Sequence, residues 1–453
     1  MARTQKTLNM LSGSLWDKMI IFALPLAFTA VLQQLFNAAD VAVLGRYVSN
    51  EAMSAVGNNV PIIGFIVSLC MGLALGANVI VARFLGMKDE ESANRAVHTA
   101  LATAILFGIS MTILGEILTQ PILKLMKVPA SVIGHSEDYL RVYLLGMPFI
   151  AIYNFLGAVF RSQGDTQTPF WALVAASIFN IAGNLFFVLV FDWGASGVAL
   201  ATVLANLLAG FILVWRLTHL SGALHLDLKK IFQIDRSALS SIIRIGWPAG
   251  LQGSVFSLSN LVIQSAINSL GPEFMAGSVA AFTIEINVYC FINAFGLAAT
   301  TFVSQNYGAG NLSRCRRATW VSMGLNFGAT LLMTALVLIF GHQLLGFFTH
   351  SDTVIAIGMT RIYWVVFPEP LNVIMETLSD AMRGYGYSLP PAILTLVVIC
   401  SVRIFWVYTV FASNPSFEVL MAVYSVSWGF TTIGLCWLYI RHQRKLNLRK
   451  ARS

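Results

Sequence analysis

Apolar residues along the chain fall in long runs separated by short polar connectors. About 20 apolar residues carry a helix across a hydrocarbon core. Twelve segments meet that length, at roughly 18–45, 55–81, 96–120, 138–160, 170–191, 197–216, 240–268, 276–304, 318–341, 357–381, 391–411 and 418–441. The runs far exceed the roughly ten-residue strands of a membrane barrel and do not alternate residue by residue. The pattern predicts an all-α polytopic membrane protein with twelve transmembrane helices.

The pattern also repeats. The two halves align at an offset of 222 residues: Glu51 and Met53 meet Glu273 and Met275, Gly86 meets Gly308, and Arg95 meets Arg317. Pro148 meets Pro370, while Arg161, Gly164 and Pro169 meet Arg383, Gly386 and Pro391. Pro25 meets Pro248 after a one-residue slip. Six spans per copy keep both copies in the same orientation, as expected of a repeat about an axis along the membrane normal. The expected organisation is two pseudo-symmetric six-helix lobes. An N-lobe covers 1–216, a cytoplasmic linker 217–239, and a C-lobe with a basic C-terminal tail 240–453. Rocking of one lobe against the other gives alternating access as the expected mechanism.

Composition narrows the class. The chain is 57% hydrophobic and 11% charged, with a mean hydropathy of +0.75. Soluble domains carry about 25% charged residues, and disordered chains need low hydrophobicity, so both are excluded. The net charge of +8 does not point to nucleic acid, because the basic residues sit in connectors and at the C-terminus. Of 28 Lys and Arg, 22 fall on the side holding both termini; Arg46, Lys124, Lys127, Arg141 and Arg361 fall on the other, and Arg403 lies inside a span. Basic residues stay on the cytoplasmic side, so both termini are expected there. The five cysteines are scattered without metal spacing, as are His98, His135, His342 and His350. The polar opening Met1–Gly13 predicts no cleavable leader.

An ionisable group inside a bilayer costs about 2.5–3.5 kcal/mol even on a lenient scale. Asp40 lies in span one within an otherwise apolar helix, with Asn37 one turn earlier on the same face. A carboxylate there can bind a proton or Na⁺ and release it when access changes; the alternative is a snorkelling or structurally hydrogen-bonded Asp. Asn180 and Asn184, four apart on span five, point the same way. In the second copy Ile263 stands opposite Asp40, and the acids are elsewhere: Glu285 on span eight, Glu376 and Asp380 on span ten. The last two share a face and repel, so at least one is expected to be protonated, paired or hydrated. Arg403 is the expected partner, and a structural Arg–carboxylate pair is the plain alternative to a functional role for Asp380. Glu285 and Glu376 are candidates for meeting a cationic substrate or a proton. Glu369, between Pro368 and Pro370, reads as a hydrated helix break. Pro25 is expected to kink span one. The 16 Met and 31 Phe could line a plastic apolar cleft.

Four segments carry a family resemblance: Arg161-Ser-Gln-Gly164-Asp165-Thr166-Gln-Thr168-Pro169, Gly194-Ala-Ser-Gly197-Val-Ala199-Leu-Ala201-Thr202, Ser304-Gln305-Asn306-Tyr307-Gly308-Ala309-Gly310, and Phe36-Asn37-Ala-Ala-Asp40. Together they resemble the multidrug and toxic compound extrusion (MATE) family, of bacterial type, over nearly the whole chain. The resemblance implies a secondary antiporter that exports cationic or amphipathic organic compounds (drugs, dyes) against H⁺ or Na⁺. It implies a multi-pass protein of a bacterial inner membrane, without a cofactor and expected to be a monomer. It places Asp40 in an N-lobe cation site with Asn180, Asn184, Tyr139 and Thr202 as oxygen donors. It also implies that span one can bend at Pro25 when that site is protonated. In the family Asn is commonly followed four residues later by Asp; Asn184 departs from this and removes one negative charge. No metal is implied beyond a possible Na⁺ at the Asp40 site. Tyr139 and Thr202 could equally serve as interhelical hydrogen-bonding groups. The alternative function is a lipid-linked precursor flippase, which would place many basic residues in its cleft. A membrane-embedded enzyme would need a catalytic cluster or phosphate-binding loop, and the chain shows neither.

Overall fold

The computed structural model describes residues 8–126 and 128–450, the side chains of Asn50, Leu258, Arg449 and Lys450 excepted. Arg3, Lys6, Lys127 and Arg452, which enter the charge count, lie outside the described residues. Every regular element among the described residues is helical. In order these are α1 (Trp16–Tyr47), α2 (Asn50–Met87), α3 (Glu90–Leu125), α4 (Ala130–Leu145), α5 (Met147–Ser162), α6 (Gln167–Leu189) and α7 (Gly194–His219). Then follow α8 (Arg236–Leu270), α9 (Pro272–Gly308), α10 (Leu312–Gly346), α11 (Asp352–Val365), α12 (Glu369–Gly384), α13 (Leu389–Trp406) and α14 (Phe417–Lys450). A π-helical turn, Val407–Phe411, prolongs α13.

Nine of the described helical segments are long and apolar enough to cross a bilayer, and two more crossings are the bent pairs α4–α5 and α11–α12. The remaining long helix, α8, has 35 residues and is diluted by Gln252, Ser254, Ser257, Ser259 and Asn260. Twelve transmembrane crossings result, as the hydrophobic pattern predicts. Spans four and ten are each broken where one continuous helix was expected. The bends are 49° at Gly146 and 46° around Val366–Pro368. Pro148 and Pro370, equivalent in the repeat, stand at the start of α5 and α12. Proline fits a helix's first turn, where its missing N–H is unneeded, whereas in an interior it removes a hydrogen bond and crowds the preceding turn.

The repeat extends to the caps. Asp89 accepts from the Ser92 N–H at 3.0 Å and starts α3. Asn311, its equivalent, accepts from the Arg314 N–H at 3.1 Å and starts α10. Each cap satisfies one of the amides a helix start leaves open.

The chain divides into two compact units. The first holds residues 1–12, 28–250 and 308–310; the second holds 13–27, 251–307 and 311–453. Both copies thus divide their opening helix just past its proline: α1 after Ala27 and α8 after Gly250. Within the first unit, α5 packs on α2, α3 and α7, and α6 on α7. Its core is rich in small residues, among them Ala74, Ala77, Ala96, Ala100, Ala151 and Ala158, which let helix backbones approach in lipid. A close backbone approach joins Gly72 and Gly76 of α2 to Gly246 and Gly250 of α8. A Cβ on Gly250 would lie 2.9 Å from the Leu69 Cα, and one on Gly246 2.6 Å from the Gly72 carbonyl oxygen. In the second unit α14 packs on α11, α12 and α13, over a core that includes Ala281, Val288, Leu345 and Ile362.

Candidate functional site

Three helices of the first unit bring polar groups to one buried point. α1 supplies Asp40, 3% exposed, α6 supplies Asn180 and Asn184, and α7 supplies Thr202. The Asn184 amide nitrogen donates to Asp40 Oδ1 at 2.6 Å, and the Thr202 hydroxyl donates to Asp40 Oδ2 at 2.9 Å. Asn180 completes the ring, donating to the Thr202 hydroxyl at 3.1 Å and accepting from Asn184 at 3.2 Å. Four of the five residues expected at a cation site therefore meet through hydrogen bonds. Tyr139 of α4 is buried beside them and stacks on Tyr143 with ring centroids 6.1 Å apart. No hydrogen bond joins Tyr139 to Asp40 among the described residues.

The site carries one acid and neutral donors. One buried atom is left over: Asn184 Oδ1 has no donor among the described residues. Asp40 Oδ1 and Oδ2 and the amide oxygens of Asn180 and Asn184 are the hard donors a small cation takes. No cluster of three or more His, Cys, Asp or Glu that could hold a metal occurs among the described residues. Asp40 and Tyr139 also line a cavity of about 350 Å³, within the usual range for small-molecule sites. Its walls mix Gln33, Gln34, Asn37, Asn154 and Asn206 with Val60, Met71, Tyr143 and Tyr153. Of these, sequence reasoning had singled out only Asn37. Glutamine and asparagine in a span were a usable signal, since uncharged amides in lipid also need partners.

Pro25 lies inside α1, which continues as one helix through it. It belongs to the second unit, whereas Asp40 belongs to the first.

In the second unit the expected Arg403 pairing is not formed. Asp380 pairs with Arg383, one turn on, and Arg383 also donates to Gln252 at 2.8 Å. The physical reason is that α12 runs on to Gly384. Arg383 therefore shares a helix face with Asp380 instead of standing in a connector. Glu285 is not an open acid: Arg361 Nε and Nη2 donate to its two oxygens at 2.9 and 3.0 Å. Arg361 was expected on the external side, yet it is 4% exposed. Phe282 and Tyr424 lie 5.7 and 5.8 Å from its guanidinium. Glu369, at the break where hydration was expected, is buried and accepts from Asn372 at 2.8 Å. Glu376 is half-buried one turn before Asp380, and no described residue hydrogen-bonds its carboxylate. Arg403 donates to Asn260 at 2.6 Å.

A twice-repeated bundle of twelve membrane crossings, with a buried acid at the wall of a cavity in one unit, is the architecture of a multi-pass membrane transporter. The MatE family model matches residues 25–186 and again 248–409, and the chain belongs to that family, in which several relatives of this chain are named multidrug resistance proteins. It is 27% identical over 403 residues to Probable multidrug resistance protein YoeA of Bacillus subtilis (strain 168), covering 86% of each chain. It is 27% identical over 405 residues to Probable multidrug resistance protein NorM of Thermotoga maritima, covering 85% of this chain and 84% of that one. Its fold matches a solved outward-facing multidrug resistance MATE family transporter of the MOP superfamily. There the TM-score is 0.90 at 22% identity, over 98% of this chain and 99% of the other.

Proposed function

We propose that the chain is a secondary antiporter that expels amphipathic or cationic organic compounds in exchange for H⁺ or Na⁺. The observation that carries this is the Asp40 site: one buried carboxylate, held by Asn184 and Thr202, at the wall of a cavity of drug size. A single negative charge is neutralised by one proton or one Na⁺. Loading changes the partners at Asp40: a protonated carboxyl has one O–H that needs an acceptor, and a bound Na⁺ needs oxygens, where the carboxylate now meets an N–H and an O–H. Turning the Asn184 amide over would present the unpartnered Oδ1. That rearrangement gives the site two states, which is what coupling requires. Bending of α1 at Pro25 is proposed to follow it.

The two copies act as lobes, N-terminal (1–216) and C-terminal (240–453), one rocking against the other to alternate access; 217–239 is the cytoplasmic linker. Both termini face the cytoplasm, and the protein works as a monomer in a bacterial inner membrane. Glu376, whose carboxylate no described residue hydrogen-bonds, is the second-unit acid assigned to a cationic substrate or a proton. Glu285 and Asp380, tied to Arg361 and Arg383, are assigned to holding that unit together. The same pairing weakens the flippase alternative, since two of the three arginines buried there among the described residues are taken by acids.

The test is dye export from proteoliposomes under separately imposed pH and Na⁺ gradients. One elementary charge moving through 100 mV supplies about 2.3 kcal/mol, a tens-fold dye gradient. Asp40→Asn should abolish that accumulation while the protein still reaches the membrane. Equal export by the wild type with every ionic gradient collapsed refutes the proposal.

A further inference from the structure

Arg403 is the largest fully buried side chain among the described residues, at 0% exposure. It stands on α13, one turn before the π-helical segment. Its polar contacts are all neutral and all through one nitrogen: Nη1 donates to Asn260 Oδ1 at 2.6 Å and to Ser259 Oγ at 3.5 Å. Nε and Nη2 are buried with no partner among the described residues. The two ring faces of Phe256 and Tyr424 lie 4.9 Å from the guanidinium carbon. Aromatic faces stabilise a cation, but they do not neutralise it or satisfy its N–H groups.

The unused nitrogens form one edge of the guanidinium, with two parallel N–H groups. The same unit shows what that edge binds. Arg361 uses its own Nε and Nη2 to grip both oxygens of Glu285, at 2.9 and 3.0 Å. Such a fork matches a carboxylate in spacing and plane. Arg403 presents the same fork, and no described Asp or Glu pairs with it. Glu285 is taken by Arg361 and Asp380 by Arg383. Nearby, Trp428 follows Tyr424 by one turn with rings 5.8 Å apart, and its buried Nε1 has no acceptor either. The local excess is of donors and positive charge, in a position where an unpaired charge is costly.

We propose that Arg403 is the recognition group of a carboxylate-binding site in the second unit, for amphipathic aromatic organic acids. The carboxylate takes the Nε–Nη2 fork, and its aromatic body lies among Phe256, Tyr424 and Trp428. The site lies on the opposite copy from Asp40, so the protein handles anionic compounds as well as cationic ones. The assignment rests on the transport reading only for the route by which a ligand arrives. Binding is therefore tested without any gradient, and its failure is separable from failure of coupled export.

The experiment is equilibrium dialysis of the purified full-length protein in lipid nanodiscs, with 1-naphthylacetate and its neutral isostere 1-naphthylacetamide. A charge-assisted fork predicts that the acid binds about tenfold or more tightly than the amide. Arg403→Gln should bring that ratio to about one, and Arg403→Lys, which keeps charge without the fork, should leave an intermediate ratio. Repeating the titration in excess chloride separates an organic carboxylate from an inorganic anion. Equal binding of acid and amide by the wild type overturns the proposal, and so does complete displacement of the acid by chloride. The wild-type comparison stays decisive even if the Arg403 variants fail to fold.

Discussion

On the proposed reading, Asn184 is the residue on which the choice of coupling ion turns. It supplies a donor to Asp40 where the family resemblance implies a second acid. Asn184→Asp should add a negative charge beside Asp40 and make export respond to Na⁺ at fixed pH, where the wild type responds less. Dye efflux in proteoliposomes with and without Na⁺ checks this, and an unchanged Na⁺ response refutes it. A second expectation concerns the pair Glu285–Arg361, whose side chains are 6% and 5% exposed. Removing one partner of such a pair costs about 3–5 kcal/mol. Glu285→Gln should therefore lower thermal stability in detergent sharply, and Glu285→Gln with Arg361→Met should recover much of the loss. Export of cations and neutral compounds should fall together in Glu285→Gln, following the amount of folded protein. At this scale the sequence disclosed which polar residues lie in lipid, because an ionisable or amide side chain in an apolar run stands out. Asp40, Asn180, Asn184 and Thr202 were legible in this way, with the family pattern to group them. Partner choice was not. Arg361 and Arg383 looked like connector residues, because a span's end cannot be read to within one turn, and one turn decides whether an arginine faces water or an acid.

Among the elements, the long helices were visible as apolar runs, and the breaks in spans four and ten were not. Pro148 and Pro370 marked both breaks, yet hydropathy continues straight across a bend and smooths it away. Aspartate and asparagine caps at equivalent positions show that the duplication preserved local chemistry down to helix starts. The α2–α8 crossing rests on four glycines, where backbones meet with no room for a side chain. Gly246→Leu should separate the helices and cost about 1–3 kcal/mol or more, as overpacking does. A drop in unfolding temperature with retained membrane insertion is the expected readout; unchanged stability refutes the close packing.

For the whole molecule, the fold class and the twofold repeat were available from the sequence, since a constant offset of 222 residues needs no structural knowledge. Orientation makes its own prediction. In a cysteine-free background, Arg46→Cys, exposed at the end of α1, should react with a membrane-impermeant maleimide added outside intact cells. Ser313→Cys, exposed at the start of α10, should react only after permeabilisation. The reverse labelling inverts the topology.

The division of both opening helices just past Pro25 and Pro248 bears on how such a gene could have arisen. Each copy lends the first stretch of its leading helix to the other's compact body and receives the equivalent stretch in return. A primordial six-helix polypeptide built on this plan would have been complete only as a pair of identical chains trading those segments. Fusion of two tandem copies would make that exchange internal and leave each half free to diverge. The copies now differ in having aspartate at 40 and isoleucine at 263.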